Sequence, residues 1–367
     1  MVFGVFCLTM TLEKTTNIVL RSLRPNRPYH VQWLVTRKCN FRCIGCNVWQ
    51  EQDARELSTE EIKKGLDILR ELGVLEVVFS GGNPLLREDI GEIIEYASRF
   101  FVTTVYDNGS MAVKKIADLH NADFVAISID SLDPEKNDYI RGVKGAWHTA
   151  TEAVKRLHEE GISVSVAPTI SQFNLHEILD LTNYFTERNI PVWYSLYSYD
   201  LDDKSQIFKI GKRRSEFAVV DQQAMVDLFD SLIKLKKKNN NVLMTTKLLK
   251  AVRNLWLTGN RTWECRALKN FFVIDHLGRV AGCHLKEPTT TIFDLPKVWN
   301  TAKLDTLRKT YNKCSDCTYM CYMFYSVHGS VLGNFQIAHD QWRNAKLILK
   351  KENLKLSKKR ARTVGNT

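Results

Sequence analysis

Between residues 29 and 199 the chain alternates short apolar runs with amphipathic segments, and no other feature of the sequence constrains its fold as strongly. The apolar runs predict six strands, at 30–35, 74–79, 101–106, 123–129, 162–170 and 192–199. The segments between them predict helices at 58–73, 89–99, 111–120, 147–160 and 175–188. Strands that alternate with helices form βαβ units around a parallel sheet. Six such units predict an α/β fold with a partial (βα)6 TIM-like barrel, because a complete barrel needs eight.

The pattern changes on both sides of this region, and we expect five parts along the chain. They are an N-terminal extension (1–28), the partial barrel (29–216), a helical linker (217–260), a small cysteine-rich module (261–330) and a basic C-terminal helix and tail (331–367). Within the linker, residues 236–241 read as a polar, basic turn, and the apolar stretch 271–274 belongs to the cysteine-rich module.

Unusual residues cluster where the predicted strands end. Three cysteines follow the first strand, Gly81-Gly82 the second, Asn108 the third, and Ser128 with Asp130 the fourth. Ligands of parallel α/β folds bind at the carboxyl ends of the strands. The sequence therefore predicts the functional site at this edge of the sheet.

The cysteines indicate metal rather than disulfides. Of nine, Cys7 stands alone, and the other eight form two groups: Cys39, Cys43 and Cys46, then Cys265, Cys283, Cys314, Cys317 and Cys321. Spacings of two and three residues within groups far apart in the chain are typical of metal sites. Structural zinc normally takes four ligands, whereas three thiolates suit a [4Fe-4S] cluster with one open iron.

The segment Cys39-Asn40-Phe41-Arg42-Cys43-Ile44-Gly45-Cys46 resembles the signature of the radical S-adenosylmethionine (radical SAM) superfamily. The resemblance continues in order over residues 29–200, through Gly81-Gly82-Asn83-Pro84, Asp107-Asn108-Gly109, Ser128-Ile129-Asp130 and Arg141-Gly142. It implies an enzyme that reductively cleaves SAM at a [4Fe-4S] cluster. The 5′-deoxyadenosyl radical so formed would modify an unactivated C–H bond of a substrate.

The resemblance also implies roles for individual residues. Cys39, Cys43 and Cys46 would hold the cluster, and Gly81, Gly82, Asn83 and Pro84 would face the SAM amino group. Ser128 and Asp130 would lie near its ribose or methionine part, together with Asn108, and Arg141 would pair with its carboxylate.

Two positions depart from the family pattern. Asn83 stands where the family usually has Glu, so a charge is lost while a side-chain carbonyl acceptor remains. Gly45 stands where an aromatic residue or His is common, so adenine stacking would come from elsewhere, with Ile170 or its neighbours on the fifth strand as candidates.

The second cysteine group, with Gly278 before Cys283, resembles the auxiliary-cluster extension called SPASM, or its shorter twitch form. Five thiolates can fully ligate one [4Fe-4S] cluster but not two. We expect one auxiliary cluster on Cys265, Cys283, Cys314 and Cys317, with Cys321 as an alternative ligand or a bystander. Zinc on four of the five is the alternative. Such a cluster would relay an electron if fully ligated, or bind substrate at an open iron.

The substrate and partners are less constrained. Candidate substrate-facing residues end the sixth strand: Tyr194, Tyr197, Tyr199 and Asp200. His284 reads as an ordinary loop histidine. The substrate would be a ribosomal peptide or a small molecule such as a cofactor precursor, tetrapyrrole or lipid. The electron donor would be a ferredoxin or flavodoxin.

The charge of the chain does not point to nucleic acid. The formal net charge is +11, but residues 343–367 carry nine Lys/Arg against one acid, which leaves about +3 elsewhere. An apolar stripe ending at Leu349 predicts that this tail begins as a helix docked on the barrel, with an anionic membrane surface as the lesser alternative. Without a secretory signal or spanning segment we expect a cytoplasmic protein. The competing function class is a non-catalytic iron–sulfur or zinc protein whose basic tail contacts nucleic acid.

Overall fold

The computed structural model describes residues 28–50, 55–200, 206–207, 211, 215–316 and 319–329. The N-terminal extension up to residue 27, Cys317 and the C-terminal helix and tail lie outside these residues. The strands are β1 His30–Thr36, β2 Glu76–Gly81, β3 Val102–Asp107, β4 Phe124–Ile127, β5 Val164–Val166, β6 Thr169–Ile170, β7 Ser195–Leu196, β8 Phe271–Ile274, β9 Arg279–Ala281 and β10 Thr290–Thr291.

The central sheet has the strand order β10-β9-β8-β1-β2-β3-β4-β5. Strands β1 to β5 are parallel to their neighbours, and β8 is parallel to β1. Strands β6 and β7 form a separate parallel pair, and a bridge between Val166 and Val192 links this part of the chain to β5. The predicted α/β fold with a partial parallel barrel is confirmed.

Helices cover the sheet. They are α1 Thr59–Leu72, α2 Ile90–Ser98, α3 Ile116–Leu119, α4 Pro134–Arg141, α5 Ala146–Glu159, α6 Ile178–Glu187, α7 Gln222–Lys238, α8 Thr246–Thr258, α9 Leu295–Val298, α10 Ala302–Asn312 and α11 Met320–Val327. Ser58 and Glu61 form the capping box expected at the start of α1, and Gly73 ends that helix in the left-handed conformation. No helix of the described residues is both long and apolar enough to cross a bilayer.

Several predicted boundaries are wrong for local reasons. The run 162–170 is divided into β5 and β6 around Pro168, whose missing N–H cannot join a ladder. Of 192–199, only Ser195–Leu196 is a strand. In 111–120 only α3 is α-helical, and α4 was not predicted although Asp133 caps it and Pro134 occupies its first turn.

The expected turn at 236–241 is also wrong at its start. Lys236 to Lys238 belong to the last turn of α7, where lysines favour the negative end of the helix dipole. Lys236 is only 4% exposed, and its Nζ donates to the carbonyl oxygen of Val242 at 2.7 Å. Its long apolar stem is buried while its ammonium is satisfied by the main chain.

The cysteine-rich region is built into the barrel. Strand β8 pairs with β1 over four residues, so the sheet continues across the predicted boundary at 261. Helix α11 packs against the interior face of β1. Gln32 accepts a hydrogen bond from the Tyr322 hydroxyl at 2.9 Å and donates one to the Tyr319 hydroxyl at 3.1 Å. Residues 319–327 therefore form part of the barrel interior, next to the cavity described below.

Candidate functional site

A cavity of about 270 Å³ opens at the carboxyl ends of β1 to β4. It brings together ten of the residues predicted from the sequence: Cys39, Cys43, Cys46, Gly81, Gly82, Pro84, Asn108, Ser128, Asp130 and Arg141. Asn83 is not part of the lining and lies buried beside it, with 1% exposure.

The first cysteine group occupies the loop after β1. The main-chain N–H of Ile44 donates to the carbonyl oxygen of Ile140 at 3.1 Å, which attaches the loop to the end of α4. Burial raises the pKa of all three thiols, that of Cys46 to about 12. In the metal-free protein the thiols are therefore protonated, and a bound metal would displace those protons.

Gly81 and Gly82 allow two main-chain segments to approach closely. A Cβ at Gly82 would lie 2.2 Å from the carbonyl oxygen of Lys38, and one at Gly81 would lie 2.1 Å from that of Thr36. Gly81 also has a φ of +137°, which favours glycine. This contact fixes the turn after β2 against the start of the cysteine loop.

Asn83 is fully engaged in a polar network. Its Oδ1 accepts from the N–H of Leu85 at 3.0 Å, which caps a short 3-10 turn at Pro84–Leu86. Its Nδ2 donates to Asn108 Oδ1 at 3.2 Å, and Asn108 in turn donates to Asn40 Oδ1 at 3.0 Å. The carbonyl acceptor expected to remain at Asn83 is therefore already used by the main chain.

Asp107 is a cavity residue that the sequence analysis did not select. It ends β3, is 2% exposed, and its Oδ2 accepts from the N–H groups of Gly109 (2.8 Å) and Ala112 (3.1 Å). Its Oδ1 is buried without a hydrogen-bond partner among the described residues. Burial raises the pKa of this carboxyl to about 6, although the nearby Asn83 amide and main-chain N–H groups lower it. The sequence signal that could have identified Asp107 is its position directly before Asn108, in the motif that follows the third predicted strand.

Asp130 and Arg141 form an ion pair in the cavity wall. Arg141 Nη2 lies 2.8 Å from Asp130 Oδ2, and the guanidinium also contacts the Cys43 thiol. Asp130 Oδ1 accepts from the N–H of Thr169 at 2.8 Å. Burial raises the pKa of Asp130 although Arg141 opposes that rise. Arg141 Nε is buried and has no hydrogen-bond partner in the described part of the chain.

Two aromatic rings occupy the space next to Gly45. A Cβ at this glycine would lie 3.0 Å from Tyr197 Cε2 and 3.2 Å from Phe217 Cγ, and both rings line the cavity. Ile170, the expected source of adenine stacking, is instead buried in the core outside the lining, because Thr169 and Ser171 take the cavity-facing positions. The aromatic rings beside the cysteine loop thus belong to Tyr197 and Phe217, and not to the fifth predicted strand.

The structure places the four candidate substrate-facing residues in different environments. Tyr197 lines the cavity, as predicted. Tyr194 is fully buried in the hydrophobic core, with its hydroxyl 2.9 Å from Thr182 Oγ1, so its role is packing. Tyr199 packs beside a small cluster around Tyr197, and the N–H of Asp200 donates to Gly211. Neither of these two is among the lining residues.

Three cysteines of the second group meet at another, much smaller space. Cys265, Cys283 and Cys314 line a gap of about 10 Å³, room for about one water. Lys286 borders the same gap, and Arg261 donates to the carbonyl oxygen of Cys314 at 3.0 Å. No three Cys, His, Asp or Glu side chains among the described residues converge at single-ion distances.

Cys321 lies apart from these thiols. It is buried on α11, where its thiol contacts Trp193 and Tyr106, and burial raises its pKa to about 12. His284 is 1% exposed, with its ring centroid 5.0 Å from that of Tyr319, and burial lowers its pKa to about 3. The structure thus places Cys321 away from the other described cysteines of the second group. His284 lies in a turn, as expected of a loop histidine, but its ring is buried against Tyr319 and Tyr322.

The residues present fit the groups that the motifs imply. The first cavity combines three thiols, the Arg141 guanidinium and a glycine turn without side chains, which suits a thiolate-bound cluster and an amino-acid ligand. The second group offers three thiols beside a lysine, and the positive charge offsets that of a thiolate-ligated metal group.

Comparison with known proteins agrees with this geometry. The family profile described as "Radical SAM superfamily" matches residues 33–185. The chain is 33% identical over 187 residues to the Fe-coproporphyrin III synthase of Methanosarcina barkeri, covering 49% of this chain and 46% of that protein. It is 31% identical over 160 residues to the subtilosin biosynthesis protein AlbA of Bacillus subtilis, covering 42% and 36%. The chain thus spans less than half the length of these curated relatives.

The fold extends beyond the family segment. A solved structure of anSMEcpe with bound AdoMet and the Cp18Cys peptide superposes with a TM-score of 0.59 at 14% identity, over 89% of this chain and 99% of that one. At this identity the match shows the fold alone. The cysteine loop, the glycine turn, Asp130 and Arg141 all lie within the matched segment, and we conclude that residues 33–185 of this chain form a radical SAM superfamily core.

Proposed function

We propose that this protein is a radical SAM enzyme that modifies an unactivated C–H bond of its substrate. One observation carries the proposal: the three cysteines of the first group line the same cavity as Gly81, Gly82 and Arg141. When bound, a [4Fe-4S] cluster on these thiolates would supply the electron that cleaves SAM to methionine and a 5′-deoxyadenosyl radical. A ferredoxin or flavodoxin would deliver that electron.

The chain's own residues would orient SAM. Arg141, which lines the cavity, would bind the ligand carboxylate while remaining paired with Asp130. Tyr197 and Phe217 would pack against the adenine, and Ser128 would hydrogen-bond the ribose or methionine part. The glycine turn would let main-chain groups approach the amino-acid end of the ligand.

We further propose an auxiliary cluster on Cys265, Cys283 and Cys314, with Cys317 as the fourth thiolate. The placement of Cys321 in the barrel interior, in contact with Tyr106 and Trp193, supports its exclusion from this set. The alternative occupant is zinc. Metal analysis separates the two, since a pair of four-iron clusters requires about eight irons per chain.

Anaerobic reconstitution tests the proposal. The protein loaded with iron and sulfide, then given dithionite and SAM, should form 5′-deoxyadenosine and methionine. The C39A/C43A/C46A variant should bind about four fewer irons and form neither product. C321S removes the cysteine of the second group that lies apart from the other thiols, and it should retain the full iron content and activity. Wild-type protein that holds its iron yet forms no 5′-deoxyadenosine would refute the enzyme assignment and favour a non-catalytic metal protein.

The substrate class needs a separate experiment. Relatives include a coproporphyrin enzyme and a bacteriocin biosynthesis protein, and a structural neighbour was solved with a peptide. Extracts of cells with and without the gene, compared by mass spectrometry for tetrapyrroles, small metabolites, lipids and peptides, would reveal the product. A mass change confined to one class identifies the substrate class.

A further inference from the structure

The two cysteine sites are joined by a pair of aromatic rings in the barrel interior. Tyr319 lines the first cavity, and Tyr322 borders the gap at which Cys265, Cys283 and Cys314 meet. The ring centroids of the two tyrosines are 4.6 Å apart, with 34° between the ring planes, which is the separation of rings in direct contact. One ring-to-ring contact therefore connects the wall of one site with the wall of the other.

Hydrogen bonds and packing fix both rings. Gln32 on β1, itself a lining residue of the first cavity, donates to the Tyr319 hydroxyl at 3.1 Å and accepts from the Tyr322 hydroxyl at 2.9 Å. Phe271 on β8 stacks on Tyr322, with ring centroids 4.8 Å apart and 3° between the planes. Tyr322 is only 1% exposed, so close packing holds its ring in this arrangement.

The chain that carries the second cysteine group touches the same rings. His284 directly follows Cys283 in the sequence. Its ring centroid lies 5.0 Å from that of Tyr319 and 5.6 Å from that of Tyr322. The rate of electron tunnelling falls steeply with the gap between donor and acceptor, and conjugated rings in contact shorten that gap. A buried line of touching rings between two groups of metal-binding thiols is therefore suited to carry an electron.

We propose that Tyr319 and Tyr322 form the path along which an electron passes between the first cavity and the auxiliary cluster. The inference rests on the proposed function, because it takes clusters as bound at both cysteine groups. A substrate radical in the cavity becomes a closed-shell product when it loses one electron and one proton. The proton would go to solvent, and the electron would reduce the auxiliary cluster. Both tyrosines are positioning residues for this transfer and are themselves neither oxidised nor reduced.

The competing explanation is that the two tyrosines only fill the barrel interior. Y319L and Y322L each remove one ring and leave an apolar side chain, whereas Y319F removes the hydroxyl and keeps the ring. The matched control is F324L, which removes a ring from the same helix, α11. Phe324 packs against Trp193 and His328, and it is not one of the described residues that line either space. Iron content and SAM binding, measured for every variant, identify any that is misfolded.

The measurement follows the stored electrons after the reductant is removed. Protein loaded with iron and sulfide is reduced with titanium(III) citrate, freed of reductant by anaerobic gel filtration, and mixed with SAM alone. SAM cleavage uses the electron held at the first cysteine group, and the 5′-deoxyadenosyl radical takes a hydrogen atom from the medium, which gives one equivalent of 5′-deoxyadenosine. A second equivalent requires the electron of the auxiliary cluster to cross to the first group. Electron paramagnetic resonance of frozen samples records that crossing as loss of the auxiliary signal, which the C39A/C43A/C46A variant identifies.

The wild type should form 5′-deoxyadenosine in two phases, and the rate of the second should not depend on protein concentration. Y319L and Y322L should lose the second phase on the timescale of the wild type and keep the auxiliary signal. Y319F and F324L should follow the wild type. An undiminished second phase in Y319L, or its loss in Y319F or F324L, would overturn the proposal.

Failure of this inference differs from failure of the proposed function. If the wild-type protein forms only one equivalent of 5′-deoxyadenosine, and the auxiliary signal persists or is absent from the start, no electron passes between the sites, although SAM is still cleaved. If the loaded wild-type protein forms no 5′-deoxyadenosine, the proposed function itself fails.

Discussion

Replacing Asp107 by Asn should stabilise the protein in the absence of SAM. Burial raises the pKa of this carboxyl from 3.8 to about 6. The folded state therefore binds the proton more tightly than the unfolded state does, and an ionised Asp107 opposes folding. An amide at the same position avoids that penalty and still accepts the two main-chain hydrogen bonds.

The size of the pKa shift determines how much D107N stabilises the protein and over which pH range. A rise of about two pH units, at about 1.4 kcal/mol each, corresponds to about 3 kcal/mol. Near pH 4 the carboxyl is protonated in the folded protein, so the advantage of D107N should be small. It should grow between about pH 4 and pH 6 and stay constant above. Hydrogen bonds from the Asn83 amide and from main-chain N–H groups lower the pKa of the carboxyl, so burial is the cause of the net rise.

Urea unfolding of the metal-free protein at pH 7.5 and pH 4.5 measures this difference. Metal-free protein is used because cluster loss would otherwise dominate the transition. D107N should be more stable than the wild type by about 3 kcal/mol at pH 7.5 and by only about 1 kcal/mol at pH 4.5. The control D180N, the same substitution at an exposed position of α6, should follow the wild type at both pH values. A D107N protein that is less stable at pH 7.5, or that differs by the same amount at both pH values, would refute the reasoning. Asp107 would then be a structural anchor of its turn.

Three further variants test the site and its surroundings. Gly82→Ala forces a methyl group against a main-chain oxygen 2.2 Å away, so it should cost about 1–3 kcal/mol of stability in thermal unfolding; an unchanged melting temperature would contradict the close approach. Arg141→Met leaves Asp130 buried without its partner, so it should lower the free energy of unfolding by about 3–5 kcal/mol. Adding Asp130→Asn should recover most of that stability. Equal stability of the single and double variants would show that the pair is not coupled. Tyr194→Phe removes a buried hydroxyl and should lower the free energy of unfolding by about 1 kcal/mol, while 5′-deoxyadenosine formation stays unchanged. Loss of product formation in a folded variant would show that Tyr194 belongs to the functional site.

Local features of the sequence predicted the part of the fold that carries the cluster motifs. The alternation of strands and helices follows from side-chain periodicity, and the start of α1 follows from Ser58 and Glu61. The strand-end motifs converge because parallel strands bring their carboxyl ends to one edge. Ten residues predicted to hold the cluster or SAM therefore line one cavity.

Contacts between segments far apart in the sequence could not be predicted from local patterns. Nothing near Phe271–Ile274 shows that β8 pairs with β1, more than 200 residues earlier. The same holds for Tyr322 and Gln32, which meet because α11 enters the barrel interior. Tyr194 and Tyr197 were equivalent candidates until the expected strand proved to be interrupted, which placed one in the core and the other in the cavity.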